Sequence, residues 1–177
     1  TFDSDTRTLI GTPGNTDVTD GGQPLSLRIT ATDRAAATVQ SNAFQIAVAN
    51  VNDAPLLGKP IIDQSAYFDK PGQVFKFTLP AGTFTDADLP YGDALTLSAT
   101  RVGATTTLPA WLQFDGLTGT FGQTRSLTEA DQGNYNFKVT ATDSSKGQVS
   151  DLFSITVRAS NNVPILGTAF SASTDPQ

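Results

Sequence analysis

The sequence predicts an all-β protein built from β-sandwich repeats in tandem. Three observations carry that expectation. A long stretch of the chain recurs about 110 residues later, the hydrophobic pattern has a period of two, and the acidic residues are nearly all aspartate.

The repeat is read from two segments. "LRITATDRAAATVQSNAFQIAVANVNDAPLLG" runs from Leu27 to Gly58, and "FKVTATDSSKGQVSDLFSITVRASNNVPILG" from Phe137 to Gly167. Each has a Thr-Ala-Thr-Asp block, a short loop, a Phe-x-Ile-x-Val strand, an Asn-containing link and Pro-x-Leu-Gly. The match extends upstream, where "FDSDTRTLIGTPGNTDVTDGGQ" from Phe2 parallels "FDGLTGTFGQTRSLTEADQGN" from Phe114. A spacing this long suits tandem sandwich domains rather than a solenoid. Residues 54–160 are therefore expected to form one complete repeat. Residues 1–53 are the C-terminal half of a preceding one, and residues 161–177 are a linker and the first strand of the next. A half-repeat lacking its early strands would expose sheet edges and an apolar face. It is expected to pair with a missing segment or to pack against another copy.

Within the complete repeat the strands follow in order. "QVFKFTL" offers Val74, Phe75, Phe77 and Leu79, and "DALTLSAT" offers Leu95 and Leu97. "PAWLQF" alternates so that Trp111 points to the core. In "NYNFKVTAT", Tyr135, Phe137, Val139 and Ala141 face one way and Asn134, Asn136, Lys138 and Thr140 the other. "DLFSITV" repeats the pattern with Phe153, Ile155 and Val157. Turns at Pro71-Gly72, Tyr91-Gly92-Asp93, Asp115-Gly116 and Lys146-Gly147 separate the runs. No segment has a helical period, which leaves about seven strands per repeat.

Composition narrows the function. Charged residues are 16% of the chain, the net charge is −6, and no basic cluster is present. Nucleic acid and anionic membranes are thus disfavoured as partners, and no apolar run is long enough for membrane insertion. The chain has no Cys, His or Met. Disulfides, thiolate metal sites and histidine-based catalysis are excluded. No Ser-x-x-Lys, Gly-x-Ser-x-Gly or phosphate-binding glycine loop appears. Of the 17 acidic residues all but Glu129 are Asp, a turn former and a compact oxygen ligand for hard cations. The chain is expected not to be an enzyme.

The segment "FTDADLPYGDALTLSAT" places Asp86, Asp88 and Asp93 within eight residues. It is not an EF-hand loop, because Pro90 stands at the fifth position and Gly92 at the seventh. Tyr67, Tyr91 and Tyr135 are the remaining candidates for stacking on a sugar, with Tyr91 the most exposed of them.

Taken together, "FTDADLPYGDALTLSA", "LPAWLQFDGLTGTFGQT", "FKVTATDSSKGQVSDLFSITV" and "NNVP" resemble the dystroglycan-type cadherin-like repeat. Bacterial examples of that family occur in large adhesins and secreted polysaccharide-active proteins. The resemblance covers residues 54–160 and, as a half-copy, residues 1–53. It implies immunoglobulin-like or cadherin-like sandwiches in tandem, with Ca²⁺ bound where one repeat meets the next. Carried onto this chain, it implies metal ligands at Asn50, Asn52 and Asp53 in the link "NVNDAP", at the Asp86/Asp88 pair, and at Asp143. Asp20, aligned with Asp131, would face the same junction from the upstream half-repeat. Asn50 stands where the family has Asp, and the link is one residue short, so one or two ions are expected rather than three. The second junction, at "SNNVP", is expected to be incomplete, with only Asp63, Glu129 and Asp131 on its upstream side. The function implied is an extracellular or cell-surface module of a long bacterial protein, a structural or adhesive repeat stiffened by calcium and partnered by neighbouring repeats. The alternatives are a carbohydrate- or peptide-binding module with a cell-surface ligand, and a subunit that self-assembles into a fibre by strand complementation.

Overall fold

The computed structural model describes residues 1–19, 24–70, 72–103 and 106–160. The first part of the chain contributes β1 (Phe2–Asp3), β2 (Thr8–Leu9), β3 (Leu25–Leu27), β4 (Thr30–Thr32), β5 (Thr38–Gln40) and β6 (Phe44–Ile46). They form three antiparallel pairs, β1 with β2, β3 with β6 and β4 with β5. Residues 54–160 contribute β7 (Leu56–Leu57), β8 (Gln64–Tyr67), β9 (Lys76–Thr78), β10 (Phe84–Thr85), β11 (Thr96–Arg101), β12 (Leu112–Asp115), β13 (Thr120–Gln123), β14 (Gly133–Thr142) and β15 (Gln148–Arg158). Seven of these nine have more than two residues. The only helical pieces among the described residues are three single 3-10 turns.

Residues 54–160 form a sandwich of two sheets, ordered β11-β14-β15-β8 and β12-β13-β9, with β7 and β10 paired beside them. The long β14–β15 hairpin is its spine, and β8 adds to β15 in parallel. Period-two patterning places the core where the sequence predicts it. Phe137, Val139 and Ala141 on β14 and Phe153, Ile155 and Val157 on β15 are all buried. Phe121 from the facing sheet is fully enclosed, with ring centroids 5.3 Å from Phe153, 6.0 Å from Phe137 and 4.5 Å from Phe114. Each such buried aromatic contributes roughly 1.5–3 kcal/mol of transfer free energy. Trp111 is buried edge-on to Tyr135 and Phe75, a packing residue rather than a sugar platform. Val74 departs from the expected pattern. It is 66% exposed, because alternation sets it on the outward face with Lys76 and Thr78 while Phe75, Phe77 and Leu79 turn inward.

The two matching segments pair in a similar register. Leu27 faces Phe44 as Phe137 faces Phe153, and Thr32 faces Thr38 as Thr142 faces Gln148. One hairpin is continuous and the other broken, because residues 33–44 hold one more residue than residues 143–153. The surplus is absorbed near Ser41, whose amide reaches the Ile29 carbonyl at 2.9 Å and whose hydroxyl takes the Ile29 amide at 3.0 Å. This bulge divides one ladder into the β3–β6 and β4–β5 pairs. Apolar side chains there remain open to solvent. Leu9, the counterpart of Phe121, is 44% exposed.

Candidate metal centre

Three chain segments meet at one end of the sandwich. The first is the loop that follows β10. Asp86 Oδ1 accepts the Asp88 amide at 2.8 Å, an Asx turn that starts the descent. The carbonyl of Asp88 then accepts the amides of Tyr91 (2.8 Å) and Asp93 (3.2 Å) around the 3-10 turn Leu89–Tyr91. Gly92, at φ 97°, supplies the left-handed residue that returns the chain. The second segment is the β14–β15 tip, where Asp143 is held by the Gly147 amide on Oδ1 at 2.7 Å. The third is the link. The Asp53 amide donates to Asp88 Oδ2, and the Asn52 side-chain amide donates to Asp143 Oδ2 at 3.1 Å. Ser144 ties the first two segments together, its amide (3.1 Å) and its hydroxyl both donating to Asp93 Oδ1.

One oxygen each from Asp86, Asp93 and Asp143 lies within 4.8 Å of the others. Ligand oxygens sharing a Ca²⁺ at about 2.3–2.6 Å can be at most about 5 Å apart, so the three suit a common ion. Asp86 Oδ2, Asp88 Oδ1 and Asp93 Oδ2 are buried without a hydrogen-bond partner, and Asp88 is 1% exposed. Leaving anionic oxygens buried and unmatched is costly, and no described Lys or Arg comes within ion-pair distance of any of them. The Ser144 hydroxyl, followed by the Ala94 amide, holds the Asp93 carboxyl below the usual carboxylate range, so it stays ionised. An all-oxygen, carboxylate-rich set of this kind fits a hard divalent cation of the calcium class.

Of the residues implied from sequence, Asp86, Asp88, Asp143, Asn52 and Asp53 come together here, and Asn50 is half-buried in the same link. The Asp53 carboxylate takes the Asn15 side-chain amide at 2.7 Å, bringing the first part of the chain to this end. Asp93 was not among the implied ligands. Its signal was present as the third carboxylate of the cluster, but its inward turn depends on Gly92 and Ser144. Asp20 lies outside the described residues, and so do Asn161 and Asn162. In matching 3-10 turns, Asp17 accepts the Gly14 amide and Asp131 the Thr128 amide, both at 2.9 Å. Asp17 and Asp131 thus hold the same place in the two turns.

The opposite end differs. Asp131 is gripped by both Arg125 guanidinium nitrogens at 2.8 and 2.6 Å and by the Thr128 amide and hydroxyl. The guanidinium, above all, holds its carboxyl far below the usual range. Asp63 accepts the Ser154 amide at 2.7 Å, midway along β15 and away from the end. Nor is Tyr91 the open platform expected. It is half-buried, and its hydroxyl donates to the Asn15 carbonyl. Tyr67 lies under Lys70 and Arg158, and the Tyr135 hydroxyl donates to the Asp131 carbonyl at 2.8 Å.

A two-sheet sandwich with an acidic end beside its inter-repeat link defines an immunoglobulin-like or cadherin-like repeat module. Residues 55–158 match the family described as "Putative Ig domain", and the chain belongs to that family. No curated protein sequence matches the chain. Among solved structures, the human mucin-like protocadherin EC1-2 is 14% identical with a TM-score of 0.58, covering 86% of this chain and 74% of that one. The protocadherin gamma B4 extracellular domain is 18% identical with a TM-score of 0.53, covering 89% of this chain and 24% of that one. Extracellular domains 3–5 of Drosophila OTK are 19% identical with a TM-score of 0.43, and the chain covers 40% of their length. At these identities the likeness is one of fold. Domains of these classes are typically extracellular and non-catalytic. Among the described residues no helix is long and apolar enough to cross a membrane.

Proposed function

We propose that the chain is a non-catalytic, calcium-binding structural or adhesive repeat of a long bacterial cell-surface or secreted protein, and that calcium stiffens the joint between successive repeats. The observation that supports this reading is the set of three buried, unmatched carboxylate oxygens on Asp86, Asp88 and Asp93. Asp86, Asp88, Asp93 and Asp143 would hold the ion, with Asn50, Asn52 and Asp53 supplying link oxygens. A bound divalent cation supplies charge neutralisation and a fixed coordination geometry. The protein's part is to bring loop, hairpin tip and link together before the ion arrives. An ion that binds the assembled end and not the unfolded chain stabilises the folded state by about 2.7 kcal/mol at a hundredfold excess over Kd.

The test is thermal unfolding in millimolar Ca²⁺ and in chelator. Calcium is expected to raise the midpoint of the wild-type chain by several degrees. The Asp86→Asn/Asp88→Asn variant should lose that rise, while unfolding at or above the wild-type midpoint in chelator because its repulsion is relieved. A midpoint indifferent to calcium would refute the reading.

A further inference from the structure

The β14–β15 tip and the β4–β5 tip are the same loop built twice. Asp143 and Asp33 each donate their amide to the carbonyl of the fourth residue on at 3.0 Å and accept the third residue's amide on their own carbonyl, and Lys146 and Ala36 both take positive φ (78° and 65°). Each aspartate also accepts that fourth residue's amide on Oδ1, from Gly147 at 2.7 Å and from Ala37 at 2.9 Å. They differ in what the carboxylate does. Asp33 is exposed, whereas Asp143 is 3% exposed and reaches the oxygen cluster. They also differ in the fourth residue, Ala in one copy and Gly in the other.

A Cβ on residue 147 would stand 2.5 Å from Asp143 Oδ2 and 3.3 Å from Ala54 Cβ. The first distance is far inside van der Waals contact, and the link blocks retreat on the second side. Gly147 has no positive φ, so nothing in its own backbone calls for glycine. The space left by the missing side chain is taken first by the carboxylate. We propose that Gly147 is a positioning residue of the cation site. It leaves the space in which the Asp143 carboxylate turns toward Asp86 and Asp93 while bonded to Asn52. This inference rests on the calcium reading above and adds a determinant that touches no ion itself.

The experiment is isothermal titration of the whole chain with Ca²⁺ alone, paired with thermal unfolding in chelator. Gly147→Ala is expected to weaken calcium binding at least about tenfold, the scale of losing a partner that orients a metal ligand. Its midpoint in chelator should fall by only a few degrees, because the native backbone accepts alanine and the strain falls on one carboxylate and its contacts. Ala37→Gly, the reverse change in the twin loop, should leave calcium affinity unaltered. Calcium affinity of Gly147→Ala within twofold of wild type would overturn the inference. So would a loss of affinity matched by an equal loss of stability in chelator, which would mark Gly147 as merely structural. A wild-type chain that binds no calcium would instead sink the metal reading and this inference with it.

Discussion

Single carboxylates in this molecule follow two chemistries. Asp86, Asp88 and Asp93 each keep a buried oxygen without a partner, while Asp131 spends both oxygens on Arg125 and Thr128. The first group asks for an outside cation, and the second carries its own. The Asp131 carboxyl is depressed below its unfolded value, so its contribution to stability is complete above that value, about 3.9, and is lost as pH falls through the folded one. Arg125→Gln should therefore lower the melting midpoint at neutral pH, and the gap from wild type should narrow steadily as pH falls below about 4. A gap that stays constant across that range would show that Arg125 acts through packing alone. Trp111 belongs at this scale too. It is 1% exposed and its ring nitrogen has no acceptor, so its value is packing. Trp111→Ala should cost about 3–5 kcal/mol in urea unfolding.

At the level of elements, one hairpin recurs in two environments. The β14–β15 ladder runs unbroken over ten residue pairs and is covered by the β12-β13-β9 sheet. Its counterpart is cut by one extra residue near Ser41 into pairs of three, with Leu25 at 52% and Val39 at 68% exposed. Slow amide exchange needs both a continuous ladder and cover from water. Hydrogen exchange should accordingly find amides of β14 and β15 protected to near the global unfolding free energy, and those of β3 to β6 exchanging much faster in the same sample. Equal protection in both hairpins would mean that the first part of the chain is covered by something else in solution.

At the scale of the whole molecule, the link, the loop and the first part of the chain converge through Asp53, which joins Asn15 to Asp88. If calcium fills this end, small-angle scattering should show a smaller maximum dimension in millimolar Ca²⁺ than in chelator. An unchanged profile would mean that the ion, if bound, does not govern the joint. The sequence alone determined the all-β sandwich class. Alternation assigns Phe137, Val139, Phe153 and Ile155 to one face whatever lies opposite, because side-chain direction along a strand is a local property. It also offered Asp86, Asp88 and Asp143 as candidates by family resemblance. Tertiary structure alone decided the rest. Asp93 enters the cluster through a glycine turn and a serine from a distant hairpin. The fit of an ion depends on which oxygens are left unmatched after folding, and hydrogen bonds between residues far apart in sequence settle that only once the chain has closed.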